Sequence, residues 1–311
     1  MTDKTLRSSH IATAVAPISY GVKKLGTALQ TACDAAGLTQ TSHVRLLGTE
    51  ERWAAIEIAV ALGDVDATAA RSVLESAFEG AADVALLPVR NRKKRLLISD
   101  MDSTIIQQEC LDELAAYAGL KDEIAAITAR AMAGELDFEG ALTERVGKLN
   151  GLSLDALAQC YEEKITLMPG GRTLTATMTA NGAFCLLVSG GFTYFTSRVA
   201  EAAGFQGDRG NVLIDDGAVL TGEVGRPILG REAKLEALDD AAFANGLNRL
   251  DAVAMGDGAN DLAMIEAAGL GLAVHAKPIV AQASDAAISV TDLTTALYFQ
   301  GYSDSEIVWR D

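Results

Sequence analysis

From Lys94 onward, short apolar runs alternate with segments of helical periodicity. RLLISD, FCLLVS, DAVAMGD, GLGLAV and AAISV read as strands buried on both faces, because such strands have no solvated side on which polar residues can alternate. FTYFTSRVAEAAG, REAKLEALDDAAFANG and NDLAMIEAAG, which separate them, read as helices. Alternation of this kind predicts parallel strands joined by crossover helices, an α/β fold with a doubly wound, Rossmann-like sheet. Ligands of such sheets bind beyond the carboxyl ends of the strands. VLIDDGAVLTGEV interrupts the alternation and predicts a hairpin turning at Asp216-Gly217. Between Ile105 and about Leu167 there is no strand signal, which predicts a helical cap inserted after the first strand, about residues 106–167.

The first ninety residues carry a different pattern. HIATAVAP predicts a strand, YGVKKLGTALQTACDAAG a helix stopping at a glycine, SHVRLLG and AAIEIAVALG two strands, TAARSVLESAFEGA a helix and DVALLPV a strand. The order β-α-β-β-α-β resembles that of ferredoxin-like α+β modules, which include the ACT-type effector-binding domains. RNRKKR, residues 90–95, reads as a solvated junction rather than a nucleic-acid patch in so acidic a chain. Two domains are therefore expected, 1–90 and 91–311. Modules of the ferredoxin-like type often pair through their sheets, so a homodimer through the N-terminal domain is an expectation as well.

Composition narrows the choice of partner. The 311 residues carry a formal net charge of −16, which argues against nucleic acid or an anionic membrane but not against a small phosphorylated substrate. No apolar run reaches the roughly 18 residues of a membrane span, and MTDKTLRSSH lacks the apolar centre of a signal peptide. Cys33, Cys110, Cys160 and Cys185 are scattered without a Cys-x-x-Cys, which suits buried free thiols and a cytoplasmic protein.

Candidate chemistry falls at the strand ends. Asp100 and Asp102 follow the first parallel strand, Ser189-Gly190-Gly191 follow FCLLV, Lys234 lies in REAKLEALDD, and GDGAND (256–261) follows DAVAM. Taken singly, each has an ordinary reading: a turn, a helix cap, a solvated lysine. Together they supply carboxylates, a hydroxyl with free amides and an ammonium at one edge of the sheet. Oxygen-rich carboxylate sites favour Mg2+, which also relieves the repulsion between Asp100 and Asp102. A phosphoryl group there would meet the cation, Lys234, the Ser189 hydroxyl and backbone amides, so the set points to phosphoryl transfer.

DMDST, VSGG, Lys234 and GDGAND, in this order, resemble the motifs of the haloacid-dehalogenase-like (HAD) phosphatases over roughly residues 94–300. The resemblance implies that Asp100 is the nucleophile and carries an aspartyl-phosphate, and that Asp102 is the acid and then the base. It implies Mg2+ held by the Asp100 side chain, the Asp102 main-chain carbonyl and Asp257, with Asp261 in support. Ser189, Gly190, Lys234 and Asn260 would hold the phosphate.

Substrate choice is expected in the cap. Phe138, Leu142 and Val146 fall on one helical stripe with Arg145 beside it, and Glu109 precedes the first cap helix. Glu109 and Arg145, in a Met132-x-Gly134-x-x-x-Phe138 context, match members of the family that hydrolyse O-phosphoserine. The resemblance implies Glu109 on the substrate amino group, Arg145 on its carboxylate, and Phe138 and Met132 as apolar cover. The expectation is a Mg2+-dependent release of serine and phosphate, the last step of serine biosynthesis. Transfer to another alcohol such as homoserine, a different phosphate ester, and an amino-acid-sensing regulator with a vestigial catalytic domain are the alternatives.

Overall fold

The computed structural model describes residues 7–49, 52–132 and 135–310, with residue 132 described in its backbone alone. The N-terminal part runs β1 (His10–Pro17), α1 (Val22–Ala35), β2 (Thr39–Gln40), β3 (Arg45–Gly48), β4 (Trp53–Ala61), α2 (Ala67–Ala77) and β5 (Asp83–Pro88). β1 lies between β5 and β4, antiparallel to both, and β4 carries β3 and β2 on its outer side. Leu25 and Leu29 of α1 and Leu74 of α2 bury one face of this sheet against Ile56, Ile58 and Val84. Its other face, with Val15, Leu47 and Leu87, packs on Tyr298 and Phe299 near the C-terminus.

The rest begins with β6 (Leu96–Ser99), then four helices in the stretch expected to form the cap: α3 (Cys110–Tyr117), α4 (Lys121–Met132), α5 (Phe138–Lys148) and α6 (Leu154–Lys164). α7 (Gly171–Ala180), β7 (Phe184–Phe192), α8 (Thr193–Ala203) and β8 (Gly207–Asn211) follow, then the hairpin β9 (Leu213–Asp215) and β10 (Leu220–Val224). The chain ends with α9 (Arg231–Ala244), β11 (Ala252–Gly256), α10 (Leu262–Ala267), β12 (Leu270–Val274), α11 (Pro278–Ala283), β13 (Ala286–Ile288) and α12 (Thr295–Phe299). Strands β13-β12-β11-β6-β7 are all parallel, as the apolar runs predict, and β8 joins them in parallel beside β7. The short elements β2, α11 and α12 escaped the sequence pattern, and so did β8 and α7. β8 is the hydrophilic edge strand GDRGN, and α7 is rich in threonine, a weak helix former. Thr173 and Thr177 of α7 are buried because their hydroxyls accept the backbone N–H groups of Arg310 and Val308.

No gap separates the two parts. β5 pairs with β13 at Ala85 and Ala286, so eleven strands of the described residues form one sheet. Asp83 accepts the backbone N–H groups of Ser289, Val290 and Thr291 at 2.8–3.0 Å. Glu57 receives Arg45 at 2.7 Å and Arg92 at 2.8 Å, and Arg92 reaches on to the Phe299 carbonyl at 3.0 Å. All four cysteines are buried and free. Among the described residues, no helix is long and apolar enough to cross a membrane.

The cap is rooted at two places. Its entry and exit strands are zipped where Met168 N–H donates to the Ile105 carbonyl (2.7 Å) and Gln107 N–H to that of Thr166 (3.0 Å). The β9–β10 hairpin turns at Asp216-Gly217 as expected, with Gly217 at φ +93°. It is hydrogen-bonded to the α5–α6 linker: Gly151 N–H to Leu220 O and Leu220 N–H to Leu152 O, both 2.8 Å. Gly222 makes this approach possible, since a Cβ there would lie 3.0 Å from that of Asn150.

Candidate active site

β11, β6 and β7 are neighbours and parallel, so their carboxyl ends open side by side. Asp100 follows β6 directly, with its N–H on the Met255 carbonyl of β11 at 2.9 Å. The Met101 carbonyl then accepts from Ile105 (2.8 Å) and Ile106 (3.0 Å), a tight turn with Ser103 at φ +55°. Ser189-Gly190-Gly191 lie inside β7 rather than after it, over a register shift between Val188 and Phe192. Lys234 comes from the first turns of α9, Asp257 follows β11, and Asp261 stands at the N-cap position of α10 without a side-chain capping hydrogen bond.

Lys234 is the electrostatic centre. Its Nζ lies 2.7 Å from Asp100 Oδ1 and 2.5 Å from Asp261 Oδ1, and its side chain is only 3% exposed. Burial works to lower its pKa, but Asp100 and Asp261 together outweigh that and hold the ammonium above its ordinary range. Asp261 also accepts the Gly258 N–H at 3.1 Å. Asp100, Asp257 and Asp261 bring carboxylate oxygens within 4.8 Å of one another. Burial first, and then the Asp100 charge, raises Asp257 and Asp261, with Lys234 opposing. Three carboxylates against one ammonium leave surplus negative charge on hard oxygen donors, with neither thiolate nor imidazole in the group. That donor set suits a hard divalent cation.

Asp102 has other partners. Its Oδ1 accepts the Cys110 N–H at 2.8 Å, capping α3, and its Oδ2 accepts the Ser189 hydroxyl at 3.1 Å. Burial and then the Asp100 charge push its carboxyl up to about 6. Its side chain lies outside the three-carboxylate group, whereas Asp261, expected only in support, is one of the three.

Glu109 sits at the N-cap position of α3 but makes no capping hydrogen bond. It accepts the Ser103 hydroxyl at 2.6 Å instead. Glu109 is exposed, yet desolvation by the surrounding protein and then the Asp102 charge raise its carboxyl to about 7. Arg145 donates from Nε to the Ala141 carbonyl at 3.2 Å and forms no ion pair among the described residues. Burial lowers its pKa, and the nearby charges of Asp112 and Glu109 work the other way. Phe138 is 41% exposed and leans over the Ser189-Gly190-Gly191 segment: a Cβ on Gly190 would meet its ring at 3.4 Å. Asn260 is exposed in the Gly258–Asp261 turn. The Met132 side chain and Gly134 lie outside the described residues.

Two residues were not singled out from the sequence. Ser103 is one; the hydroxyls after Asp102 were its only signal. Asn211 is the other: buried at the end of β8, it donates to the Gly190 carbonyl at 2.8 Å and accepts the Leu229 N–H at 2.7 Å. An asparagine in a hydrophilic edge strand carries no sequence signal for that.

The model of the haloacid dehalogenase-like hydrolases matches residues 97–266. A curated phosphoserine phosphatase of Streptomyces coelicolor is 40% identical over 292 residues, 92% of this chain and 70% of that protein. A HAD family hydrolase from Salmonella enterica serovar Typhi superposes with a TM-score of 0.84 at 28% identity, covering 94% of this chain and 98% of the other. A structure described as a phospho-aspartyl intermediate analogue of phosphoserine phosphatase superposes with a TM-score of 0.61 at 38% identity, covering 67% of this chain and 99% of that one.

Proposed function

The chain belongs to the haloacid dehalogenase-like hydrolases, and from that premise we propose that it is a phosphoserine phosphatase, releasing serine and phosphate from O-phosphoserine through an aspartyl-phosphate on Asp100. The observation that carries the reading is the division between two acids two residues apart. Asp100 is ion-paired with the Lys234 ammonium at 2.7 Å, a setting that suits a carboxylate nucleophile. Asp102, pushed up to about 6 and hydrogen-bonded to Ser189, exchanges a proton near neutral pH, as a general acid and base requires.

In the proposed sequence an Asp100 oxygen attacks phosphorus while the ester P–O bond breaks. Asp102 gives its proton to the departing serine hydroxyl oxygen. It then takes one from the water that attacks the phosphoryl group, returning Asp100 and releasing phosphate. Lys234, Ser189, Gly190 and Asn260 hold the phosphate oxygens. Mg2+ would be held by Asp100, Asp257 and the Asp102 carbonyl with Asp261 beside them, and would supply positive charge for the non-bridging oxygens. Glu109 takes the substrate amino group and Arg145, without an ion-pair partner among the described residues, its carboxylate. Phe138 and Met132 exclude water. In this reading residues 1–90 are a ferredoxin-like, ACT-like domain of regulatory character, residues 91–311 the catalytic domain, and serine biosynthesis the setting.

The test is phosphate release across phosphorylated amino acids and sugars, with Mg2+ and with EDTA. O-phosphoserine with Mg2+ is expected to lead, and Asp100→Asn to abolish turnover in a folded protein. Preference for a sugar phosphate would remove the substrate assignment. Appreciable turnover by Asp100→Asn would remove the nucleophile.

A further inference from the structure

Among the ion pairs of the described residues, one joins the cap helices to the rest of the chain. Arg226 donates from Nη1 to Glu139 Oε2 at 3.0 Å. Glu139 neighbours Phe138, and both leave the first turn of α5, which is fixed by the Asp137 side chain accepting the Gly140 N–H at 2.7 Å. Arg226 begins the segment that ends at Gly230, and a Cβ on Gly230 would lie 3.7 Å from the Phe138 ring. Two consecutive cap residues thus meet one short core segment, one by charge and one by its ring. That segment is tied to β7 at Gly190, because Asn211 accepts the Leu229 N–H and donates to the Gly190 carbonyl with one side chain.

We propose that Arg226 is a positioning residue for the phosphoryl site: by pairing with Glu139 it seats Phe138 over Gly190 and Gly230, and so sets how often the cap stands closed. The inference rests on the phosphatase reading for its kinetic consequences but not for its structural ones. Both side chains are more than half exposed, at 68% and 53%, so the pair is a weak and salt-sensitive latch rather than a permanent tie. A weak latch suits a lid that must open in every turnover. Phe138 covers the phosphate end, so the effect should not depend on the amino-acid part of the substrate.

Arg226→Gln should therefore lower kcat/KM by about two- to five-fold at low ionic strength, equally for O-phosphoserine and p-nitrophenyl phosphate. It should also speed deuterium exchange across residues 138–148. Both effects should fade near 0.5 M salt, where screening acts within a few ångströms. The exchanged pair Glu139→Arg/Arg226→Glu should restore both. Unchanged kcat/KM and exchange in Arg226→Gln would overturn the proposal, as would an exchanged pair no better than either single variant. If Arg226→Gln does not fold, loss of wild-type kcat/KM with rising salt, beyond that of Glu139→Gln, decides the matter in the same way. Wild-type protein inert toward O-phosphoserine would remove the phosphatase reading, and exchange alone would then decide the latch.

Discussion

Replacing Lys234 with methionine keeps an unbranched side chain, one heavy atom shorter, and removes its charge. The ammonium sits 2.7 and 2.5 Å from two carboxylate oxygens on a side chain 3% exposed. At an effective dielectric of about 20, each contact is worth about 6 kcal/mol of gross attraction. Dehydrating the three ions offsets most of that. Breaking a buried pair by removing one partner leaves a net loss of about 3–5 kcal/mol, because the other charges stay buried. With an unfolding entropy of about 2.1 cal/mol/K per residue, that loss becomes a fall of about 5–8 °C in Tm for a chain of this length. Differential scanning calorimetry in EDTA reads it directly. Mg2+ should raise the Tm of Lys234→Met more than that of wild type, since the cation then faces carboxylates with no other counter-charge. Adding Asp261→Asn should recover part of the loss. A Lys234→Met protein within about 1 °C of wild type in EDTA would refute the reasoning.

Arg145→Ala should raise KM for O-phosphoserine by about 2–4 kcal/mol of lost binding and spare p-nitrophenyl phosphate; equal losses on both would mark a structural arginine. The Glu109 carboxyl titrates near 7, so below that pH it is neutral and cannot pair with the substrate ammonium. Accordingly kcat/KM for O-phosphoserine should fall as pH drops through about 7, and the limb contributed by Glu109 should vanish in Glu109→Gln and with p-nitrophenyl phosphate; a limb unchanged in the variant would assign it elsewhere. Glu306 is held at about 2, chiefly by the Lys93 hydrogen bond. Its folded pKa is depressed, so its contribution to stability is present above the unfolded value of about 4.3 and is lost as pH falls toward 2. Wild type should be the more stable at pH 7 and lose its advantage over Glu306→Gln near pH 2; a constant difference in denaturation midpoint would contradict this.

What the sequence could and could not reveal follows from where information is local. β6, β7, β11, β12 and β13 announced themselves because strands covered on both faces must be apolar throughout. β8 did not, since an edge strand meets solvent, and α7 did not, since its threonines are explained only by the tail that lies against them. The carboxylates were legible by position alone, at the ends of strands that a parallel sheet brings together. The separate roles expected of Asp100 and Asp102 came from the family resemblance, not from position. Asp102 is drawn away by the first N–H of α3 and by a serine 87 residues further on, and neither partner is visible from the Asp-x-Asp spacing. Arg226 and Glu139 are likewise 87 residues apart, and each alone reads as ordinary surface charge.

The junction of β5 with β13 bears on how residues 1–90 can be studied. Cutting the chain there would leave β13 an open edge, strip Asp83 from three backbone N–H groups, and uncover Tyr298 and Phe299. An unpaired strand beside fresh apolar surface is a template for aggregation. A truncated protein that precipitates would therefore report a lost edge guard, not a lost sensor. Point substitutions on the exposed sides of α1 and α2 leave that edge closed, and they are the cleaner way to ask whether the N-terminal sheet also listens.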